Sequence, residues 1–306
     1  MKTLDLSVVI VNYNVKDLIL ICLRTLYQFL PDSVAVETII VDNNSSDGSC
    51  ECIKNEFPQV VLIENKDNAG FPKANNQGFE IAKGEYIFML NPDTEFIENS
   101  ISILMNYLKT HRDVDVIAPM LLNTDLSLQK SVWRYPTLRT VFYETHYLTG
   151  LLAKKNYSDK DFSKPFQVDS FSGAAIFFKR SVFDVIGMLD ETMFWIEDVD
   201  FCYRANKANL KCVYDPETKI IHHIGQSAKK NYNISISNQV VNKIKFFKKH
   251  YSSLSWFFVV LLSFYHVVLK IMMFGVLSPF KKTYYRKLKA YIYTLLRVFN
   301  PPKGIS

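Results

Sequence analysis

The sequence lacks the glycine-rich loops with which two common nucleotide-binding folds hold phosphates. No GxGxxG follows the first apolar run, Leu6 to Val11, and no GxxxxGK[ST] occurs in the chain. Such loops bring backbone N–H groups against a pyrophosphate. Dinucleotide-binding enzymes and P-loop NTPases are therefore disfavoured.

The cysteine pattern and the N-terminus also lack the marks of an exported protein. The five cysteines are an odd number without CxxC spacing, which indicates reduced cytosolic thiols. The run that begins at Leu6 ends before Asn12 and is too short for a signal peptide or a membrane span. The main body is therefore expected in the cytoplasm.

Short β-branched runs alternate with amphipathic stretches along the first half of the chain. The first four predicted strands are Leu6 to Val11, Thr38 to Val41, Val60 to Ile63 and Tyr86 to Leu90. This alternation predicts an α/β fold with a Rossmann-like, mostly parallel central sheet and helices on both faces. Polar clusters follow these strands, at residues 12–14, 42–47, 68–73 and 91–95. Ligands bind at the carboxyl ends of such strands, so the clusters are expected to share one rim.

The second half is expected to add strands around an irregular segment. Further strands are predicted at 117–122, 174–178 and 211–214, and residues 123–168 form an irregular insertion rich in aromatics and Lys. This insertion contains no motif that indicates a particular chemistry.

Two acidic motifs are candidates for chemistry. Asp93 follows the strand that ends at Leu90, where a carboxylate can bind Mg²⁺ or Mn²⁺. Capping of the next helix is the alternative.

Glu197, Asp198 and Asp200 precede a helical segment. Like charges beside aromatics can raise the pKa of one carboxylate, which suits that group to act as a general base. A favourable place for acidic residues in the first turn of a helix is the alternative there.

A histidine pair stands at another predicted strand end. His222 and His223 follow the apolar pair Ile220-Ile221. A neutral imidazole there can complete the coordination sphere that Asp93 begins. A hydrogen-bonded rim residue is the alternative for His222.

Seven segments stand in order between Leu6 and Ser227. They are VVIVNYN, VDNNSSDGS, NAGFPKANNQG, LNPDT, FSGAAIFFKR, GMLDETMFWIEDVDFCYR and HHIGQS. In this order they resemble the family 2 glycosyltransferases of the GT-A fold, particularly the bacterial rhamnosyltransferase-like branch. One departure is that the acidic cluster usual at the metal position is Asn91-Pro92-Asp93 here, a single carboxylate that Glu95 would supplement.

The resemblance implies a role for each matching residue. Asp198 would be the catalytic base, with Glu197 as its acceptor-positioning neighbour. Asp93 would hold a divalent metal, Mg²⁺ or Mn²⁺, with His222 as a second ligand. The residues implied to bind the nucleotide-sugar donor are Asn12, Tyr13, Asn14, Asp42, Asn68, Gly70, Asn75, Asn91, Gly173 and Ala174.

The implied reaction is an inverting transfer of a sugar from a nucleotide diphosphate donor, of the dTDP-rhamnose or UDP-hexose class. The acceptor would be a saccharide or a lipid-linked saccharide in cell-surface polysaccharide synthesis. One direct displacement suffices, in which Asp198 removes the acceptor proton and the metal neutralises the departing diphosphate.

Two other functions are compatible with the sequence. One is a sugar nucleotidyltransferase, which shares the α/β scaffold but needs a glycine-rich, basic loop where Asn12-Tyr13-Asn14 stands. The other is a catalytically inactive nucleotide-sugar-binding membrane protein, against which the retained Asp93, Asp198 and His222 argue.

The C-terminal part differs in character from the rest. Residues 1–234 are predicted to form the GT-A catalytic domain, and residues 235–306 a helical tail. Basic amphipathic stretches at 240–249 and 284–299 flank the apolar run Trp256 to Leu277, which has the length of a bilayer span.

This composition predicts association with the cytoplasmic face of the cell membrane. Ser263, His266 and Lys270 interrupt the apolar run on one helical face, and Lys on both flanks favours an in-plane or re-entrant helix at least as much as a full crossing. A buried helix that docks on the catalytic domain is the alternative. No nucleic acid partner is expected, because the aromatics cluster with aliphatics in one apolar run.

Overall fold

The structure is a computed structural model that describes residues 4–146, 148, 157, 159–223 and 232–298, with the backbone alone at 232–235. Residues 224–227 of the predicted HHIGQS motif and residues 299–306 of the predicted tail lie outside the described residues. The chain divides into two compact units. The first unit contains Met1–Arg134, Asp159–Asp190 and Glu197–Ser227, and the second contains Tyr135–Ser158, Glu191–Ile196 and Ala228–Ser306.

The first unit is built on one large sheet and one small sheet. In chain order the described strands are β1 (Leu6–Asn12), β2 (Val36–Asp42), β3 (Val61–Glu64), β4 (Tyr86–Leu90), β5 (Thr94–Phe96), β6 (Val116–Leu122), β7 (Val132–Trp133), β8 (Phe166–Gln167), β9 (Ser170–Phe171), β10 (Ala175–Lys179) and β11 (Cys212–His222). The large sheet has the order β3-β2-β1-β4-β10-β6-β11-β5, with β8 paired to β11, and β7 pairs with β9.

Most pairs in the path of the large sheet are parallel. Strands β1, β2, β3 and β4 run parallel, as do β6 and β11. Strand β10 is antiparallel to both of its neighbours, and β5 is antiparallel to β11. The predicted α/β fold with a mostly parallel sheet is confirmed.

Ten described helices connect and follow these strands. They are α1 (Lys16–Phe29), α2 (Ser49–Glu56), α3 (Phe71–Ile81), α4 (Ser100–Thr110), α5 (Leu138–Thr145), α6 (Val182–Ile186), α7 (Glu197–Lys207), α8 (Tyr232–His250), α9 (Ser253–Leu277) and α10 (Lys282–Val298).

The core of the first unit lies around β1. All seven residues of β1 are buried, as expected for a central strand covered on both faces. Helix α3 approaches this strand closely, since a Cβ atom on Gly78 would lie 2.4 Å from Cγ1 of Val9. Only glycine permits this approach, which fixes the position of α3 beside the middle of β1.

Strand β11 is longer than the strand predicted at 211–214. A register shift between Asp215 and Lys219 interrupts its pairing with β6. Within the shift, the Asp215 carboxylate accepts hydrogen bonds from Thr218 Oγ1 (2.7 Å) and Glu217 N (3.2 Å). The irregularity accommodates Pro216, after which the strand resumes and ends at His222.

The described part of the second unit is helical and contains α5, α8, α9 and α10. By length and composition, α9 is the one described helix able to cross a membrane, with a mean hydropathy of 2.1. It contains the predicted apolar run Trp256 to Leu277. The predicted division of the chain at residue 234 stays a prediction.

Candidate active site

Six of the predicted site residues lie along one edge of the large sheet. Parallel pairing places the ends of β1, β2 and β4 side by side, with Asn12 opposite Asp42 and Ile10 opposite Leu90. Because β10 runs antiparallel, its first residues reach the same edge, as does the start of β5 beside the end of β11. The six residues are Asn12, Asp42, Asn91, Asp93, Ala174 and His222.

The end of β1 is tied to the loop after β2. Asn12 Nδ2 donates to Asp42 Oδ1 (2.6 Å) and Ser49 Oγ (2.8 Å), and Asp42 Oδ2 accepts from Ser45 N (2.8 Å). Both Asn12 and Asp42 are buried. This network holds the Asp42 carboxylate at the sheet edge with both oxygens engaged.

Tyr13 and Asn14, which follow Asn12 in the sequence, have different surroundings. Tyr13 is 37% exposed, which leaves its ring available to a ligand. Asn14 has a φ of +52°, and its Oδ1 accepts a hydrogen bond from Ser46 N (2.8 Å). The structure therefore gives Asn14 a role in joining two loops, besides its predicted role in donor binding.

Three of the predicted donor-binding residues have an unsatisfied amide oxygen. The described residues contain four buried side-chain polar atoms without a hydrogen-bond partner: Asn12 Oδ1, Asn75 Oδ1, Asn91 Oδ1 and Trp256 Nε1. Leaving such a group unpaired costs about 1–3 kcal/mol, so each one calls for an explanation. A ligand with hydroxyl or N–H donors would satisfy the three oxygens.

Helix α3 begins at a turn that glycine makes possible. Gly70 has a φ of +84°, which L side chains rarely adopt, and its N–H donates to Asn68 Oδ1 (3.0 Å). Asn75 Nδ2 donates to Phe71 O (3.0 Å). Asn68 and Gly70 thus shape the loop, and Asn75 offers its free oxygen.

Two backbone N–H groups hold the carboxylate of Asp198. Its Oδ2 accepts from Gly173 N (2.8 Å) and its Oδ1 from Val199 N (2.7 Å). Burial nevertheless raises the pKa of Asp198 to about 6, against the opposing effect of these hydrogen bonds. The pKa is raised as the sequence suggested, but the cause is burial, because the neighbouring charge of Asp200 is paired with Arg204 at 2.8 Å.

Asp198 stands at the start of α7, next to Glu197. Glu197 is 8% exposed, and Asp198 is half-buried. The bond from Gly173 places Asp198 just before β10, next to Ala174, whose carbonyl accepts from Asn91 N (2.8 Å). Backbone contacts therefore connect the predicted base to the predicted donor residues.

The second functional cluster joins the start of β5 to the end of β11. His222 Nε2 lies 3.2 Å from Asp93 Oδ1, and His222 Nδ1 lies 2.7 Å from Gln129 Oε1. Because Gln129 Nε2 donates to the carbonyl oxygen of His222 (2.9 Å), its Oε1 is the acceptor for the imidazole. The hydrogen-bond network thus makes Nδ1–H the donor to Gln129 and directs Nε2 toward Asp93.

A second histidine–carboxylate pair, His223 and Glu95, lies next to the first. His223 Nε2 lies 2.9 Å from Glu95 Oε2, and His223 N donates to Asp93 O (2.8 Å). Glu95, predicted to supplement Asp93, is therefore engaged by His223.

The donor set of Asp93 and His222 fits a divalent cation such as Mn²⁺. A carboxylate oxygen and an imidazole nitrogen whose other N–H is held by an amide oxygen are a usual ligand arrangement. Within the described residues, no group of three or more His, Cys, Asp or Glu could hold a metal ion. The protein would thus supply two ligands, and other groups would have to complete the coordination sphere.

Sequence reasoning missed Gln129. It lies in the insertion at 123–168, where no periodicity or motif distinguishes it from its neighbours. In the structure it is 6% exposed and donates to Asn123 Oδ1 (3.2 Å) as well as to His222. Only the fold brings it to His222.

Known proteins resemble the chain both in sequence and in structure. The family model of glycosyl transferase family 2 matches residues 7–187, more than half of the chain. A low-salt glycan biosynthesis hexosyltransferase of Haloferax volcanii is 28% identical over 67% of this chain and 63% of its own length. An N-acetylglucosaminyl-diphospho-decaprenol L-rhamnosyltransferase of Mycobacterium tuberculosis is 27% identical over 63% of this chain and 68% of its own length. The chain thus spans about two thirds of these curated relatives.

Solved structures share the fold at low sequence identity. The mannosyltransferase PcManGT from Pyrobaculum calidifontis, in complex with GDP-Man and Mn²⁺, superposes with a TM-score of 0.55 over 96% of this chain and 87% of that chain, at 13% identity. GalNAc-T7 with UDP, GalNAc and Mn²⁺ gives a TM-score of 0.55 over 74% of this chain and 45% of that chain, at 17% identity. The GT-A fold expected from the sequence is confirmed, and the family model that matches most of the sheet shows that the chain belongs to glycosyl transferase family 2.

Proposed function

We propose that the protein transfers a sugar from a nucleotide diphosphate donor to an acceptor hydroxyl, with inversion at the anomeric carbon. The observation that carries this proposal is the Asp198 carboxylate, which is fixed by Gly173 N at 2.8 Å and has a pKa raised by burial to about 6. A general base is most effective when its pKa lies near the working pH. Asp198 meets this condition and remains ionised at neutral pH.

Asp198 would accept the proton of the acceptor hydroxyl. Each of its oxygens already receives one backbone N–H, and each carboxylate oxygen has a further acceptor site. The acceptor can therefore bind to a carboxylate that does not rotate. Glu197, beside it at the start of α7, is the proposed residue that positions the acceptor.

The donor would be held by the amide-rich edge of the sheet. Asn12, Asn75 and Asn91 each offer an unsatisfied oxygen to the hydroxyl and N–H groups of the nucleotide and the sugar. Tyr13 offers an exposed ring, and Gly173 and Ala174 are proposed as the wall under the sugar. Asp42, Asn14, Asn68 and Gly70 would shape the loops around it.

Asp93 and His222 would hold a divalent cation, Mg²⁺ or Mn²⁺. When bound, the cation would neutralise charge on the diphosphate leaving group. Gln129 would keep the lone pair of His222 Nε2 directed toward that position.

Substrate class and location rest on the relatives. One named relative transfers rhamnose onto a decaprenol-linked saccharide, and another, from Escherichia coli, is a glucosyltransferase that acts on an undecaprenol-linked sugar. The proposed donor is therefore dTDP-rhamnose or a UDP-hexose, and the proposed acceptor is a lipid-linked saccharide in cell-surface polysaccharide synthesis. Residues 1–234 are proposed as the catalytic domain, within which the family model matches, and the tail 235–306, which contains α9, as its attachment to the cytoplasmic membrane face.

A donor panel tests the proposal. The melting temperature of the protein is measured with UDP-, dTDP- and GDP-sugars, each with and without Mn²⁺, and transfer is then assayed with the donor that binds. We expect one nucleotide class to raise the melting temperature, more strongly with Mn²⁺. No shift with any donor, together with no transfer, would contradict the proposal.

A further inference from the structure

The second unit contains a helix whose apolar residues face outward. In α9 the large side chains that are at least 36% exposed are Leu254, Phe257, Phe258, Leu261, Phe264, Tyr265, Met272, Met273 and Val276. We call this set the outer face of α9. A continuous exposed apolar face of this kind indicates an interaction surface.

Ser263, His266 and Lys270, the polar residues that interrupt the apolar run of α9, lie on the opposite side. Ser263 is buried, together with Val259, Val267 and Phe274. The His266 ring contacts Tyr291 of α10 at a centroid distance of 6.2 Å, and Lys270 Nζ lies 5.8 Å from the ring centroid of Phe274. A helix of a water-soluble protein has the reverse arrangement, with polar residues outward. The outer face of α9 is therefore built for an apolar environment.

The charge around this face has one sign. Between residues 232 and 298 the sequence has eleven Lys or Arg and no Asp or Glu. Lys281, Lys282, Arg286 and Lys289 are exposed at and near the start of α10. Apolar residues next to clustered cations match a membrane surface with anionic headgroups. A second copy of this unit would bring like charges together, and a nucleic acid would leave the apolar face unused.

The packing of α10 on α9 indicates how α9 is oriented relative to a membrane. It packs antiparallel on the C-terminal half of α9, with the Phe274 ring stacked on Tyr284 (5.9 Å) and on Tyr291 (5.8 Å). Lys287 Nζ lies 5.4 Å from the same ring, and Arg297 donates to Ser237 Oγ of α8 (3.2 Å). A perpendicular span would draw Lys270, Lys287 and Arg297 into the hydrocarbon region, where charged side chains are costly.

We propose that α9 lies in the plane of an anionic membrane, with its outer face among the acyl chains and the cations of α10 at the headgroups. The inference deepens the membrane attachment in the proposed function, but it does not depend on sugar transfer. The partner is an anionic phospholipid surface, and the helix does not cross the bilayer.

Vesicle flotation with the full chain tests the surface. Wild type is mixed with vesicles of phosphatidylcholine alone or with one quarter phosphatidylglycerol, and compared with the double variant Phe257→Glu, Leu261→Glu. We expect binding to anionic vesicles that weakens at high salt, because salt screens the cations, and at least tenfold weaker binding by the double variant. The control is Val185→Glu, which places one such carboxylate at an exposed apolar residue of the first unit and should bind like wild type.

Labelling separates the in-plane arrangement from a span. In membrane vesicles with the cytoplasmic face outward, Ser253→Cys and Ser278→Cys, at the two ends of α9, are treated with a membrane-impermeant maleimide and compared with wild type. The proposal requires both new thiols to react from the outside. Protection of one of them would show that α9 spans the membrane. A salt-insensitive dimer that does not bind vesicles would show self-association. Either result overturns the proposal.

Sugar transfer to a soluble acceptor distinguishes the two proposals. The double variant should keep this activity, because neither residue belongs to the proposed catalytic site. If wild type and the variants bind vesicles as expected but none of them transfers sugar, the proposed function is wrong and the proposed membrane-binding face of α9 is retained.

Discussion

Gln129 holds His222 at two points: its Oε1 lies 2.7 Å from the imidazole Nδ1, and its Nε2 lies 2.9 Å from the backbone carbonyl oxygen. The first bond orients the imidazole, and the second holds Gln129 against the end of β11. Together they direct His222 Nε2 toward Asp93. The proposed metal site therefore depends on a residue far away in the sequence.

Gln129→Ala should weaken Mn²⁺ binding. Loss of a hydrogen-bond partner behind a metal ligand lowers metal affinity by about 10–100-fold, since the imidazole can then turn or change tautomer. Electron paramagnetic resonance of free Mn²⁺ during a titration measures the affinity without an assay of activity. Gln167→Ala, at a glutamine paired with Asn206 instead, is the control. Equal Mn²⁺ affinity in wild type and Gln129→Ala would argue against the assigned metal ligand.

Asn75→Leu should separate stability from donor binding. Asn75 Oδ1 is buried without a partner, so its removal relieves a cost of about 1–3 kcal/mol, offset by loss of the bond from Nδ2 to Phe71 O. We expect an unchanged or raised melting temperature and a smaller donor-induced shift. Thermal denaturation with and without donor measures both.

The neighbouring asparagine provides a matched control for that experiment. Asn76 Nδ2 donates to Leu189 O (3.0 Å), and its Oδ1 accepts from Leu189 N (3.1 Å). Asn76→Leu breaks both bonds and should lower the melting temperature. A loss of stability in Asn75→Leu as large as in Asn76→Leu would contradict a ligand-binding role for Asn75.

The raised pKa of Asp198 predicts two pH effects. As a base it must be ionised, so kcat/KM should rise with pH through about 6 and then level off. Its pKa in the folded state lies above the ordinary value of 3.8 for an aspartate, so its ionisation destabilises the folded state as pH rises. The melting temperature of wild type, measured relative to that of Asp198→Asn, should therefore rise as pH falls through about 6.

Asp200→Asn is the contrasting variant for the pH experiments. The Asp200 carboxylate is buried and paired with Arg204 at 2.8 Å, and removal of one partner of a buried pair is destabilising. Its melting temperature should fall at neutral pH. A pH–rate profile that is flat between pH 5 and 8 in wild type would exclude Asp198 as the titrating base.

Gly84→Ala should destabilise the fold. A Cβ atom there would lie 2.4 Å from Ser7 N and 2.5 Å from Leu6 C, and backbone atoms cannot move aside easily, so we expect a loss of roughly 1–3 kcal/mol. Gly275→Ala is the control, because a Cβ atom at that helical position meets nothing within 4 Å. Urea denaturation measures both, and equal stabilities would contradict the close approach.

Most strands of the first unit can be predicted from the periodicity of the sequence, whereas contacts between residues far apart in the sequence cannot. The runs around Leu6 and Tyr86 predict buried strands because β-branched and apolar residues stand between polar turns, and sheet topology then places the following residues at one edge. The predicted sheet and its family are confirmed. The roles of Asp93, Asp198 and His222 stay predictions, because membership of a family does not by itself assign a function to each residue.

Other features depend on tertiary contacts that local patterns do not encode. Gln129 reaches His222 across 93 positions in the sequence. Where strand β11 continues past Pro216, the Asp215 carboxylate accepts hydrogen bonds from Thr218 and Glu217. The inward direction of Ser263 in α9 likewise depends on the helices packed against it. The sequence alone predicts the polar face of α9, but not which way it points.

The rate of sugar transfer by Asp198→Asn at saturating donor and Mn²⁺ tests the central claim most directly. Loss of a general base lowers such a rate by about 10²–10⁴-fold, and we expect this loss with donor affinity within about threefold of wild type, since Asp198 would act on the acceptor. Turnover close to that of wild type, in a variant that folds and binds donor normally, would show that another group removes the acceptor proton.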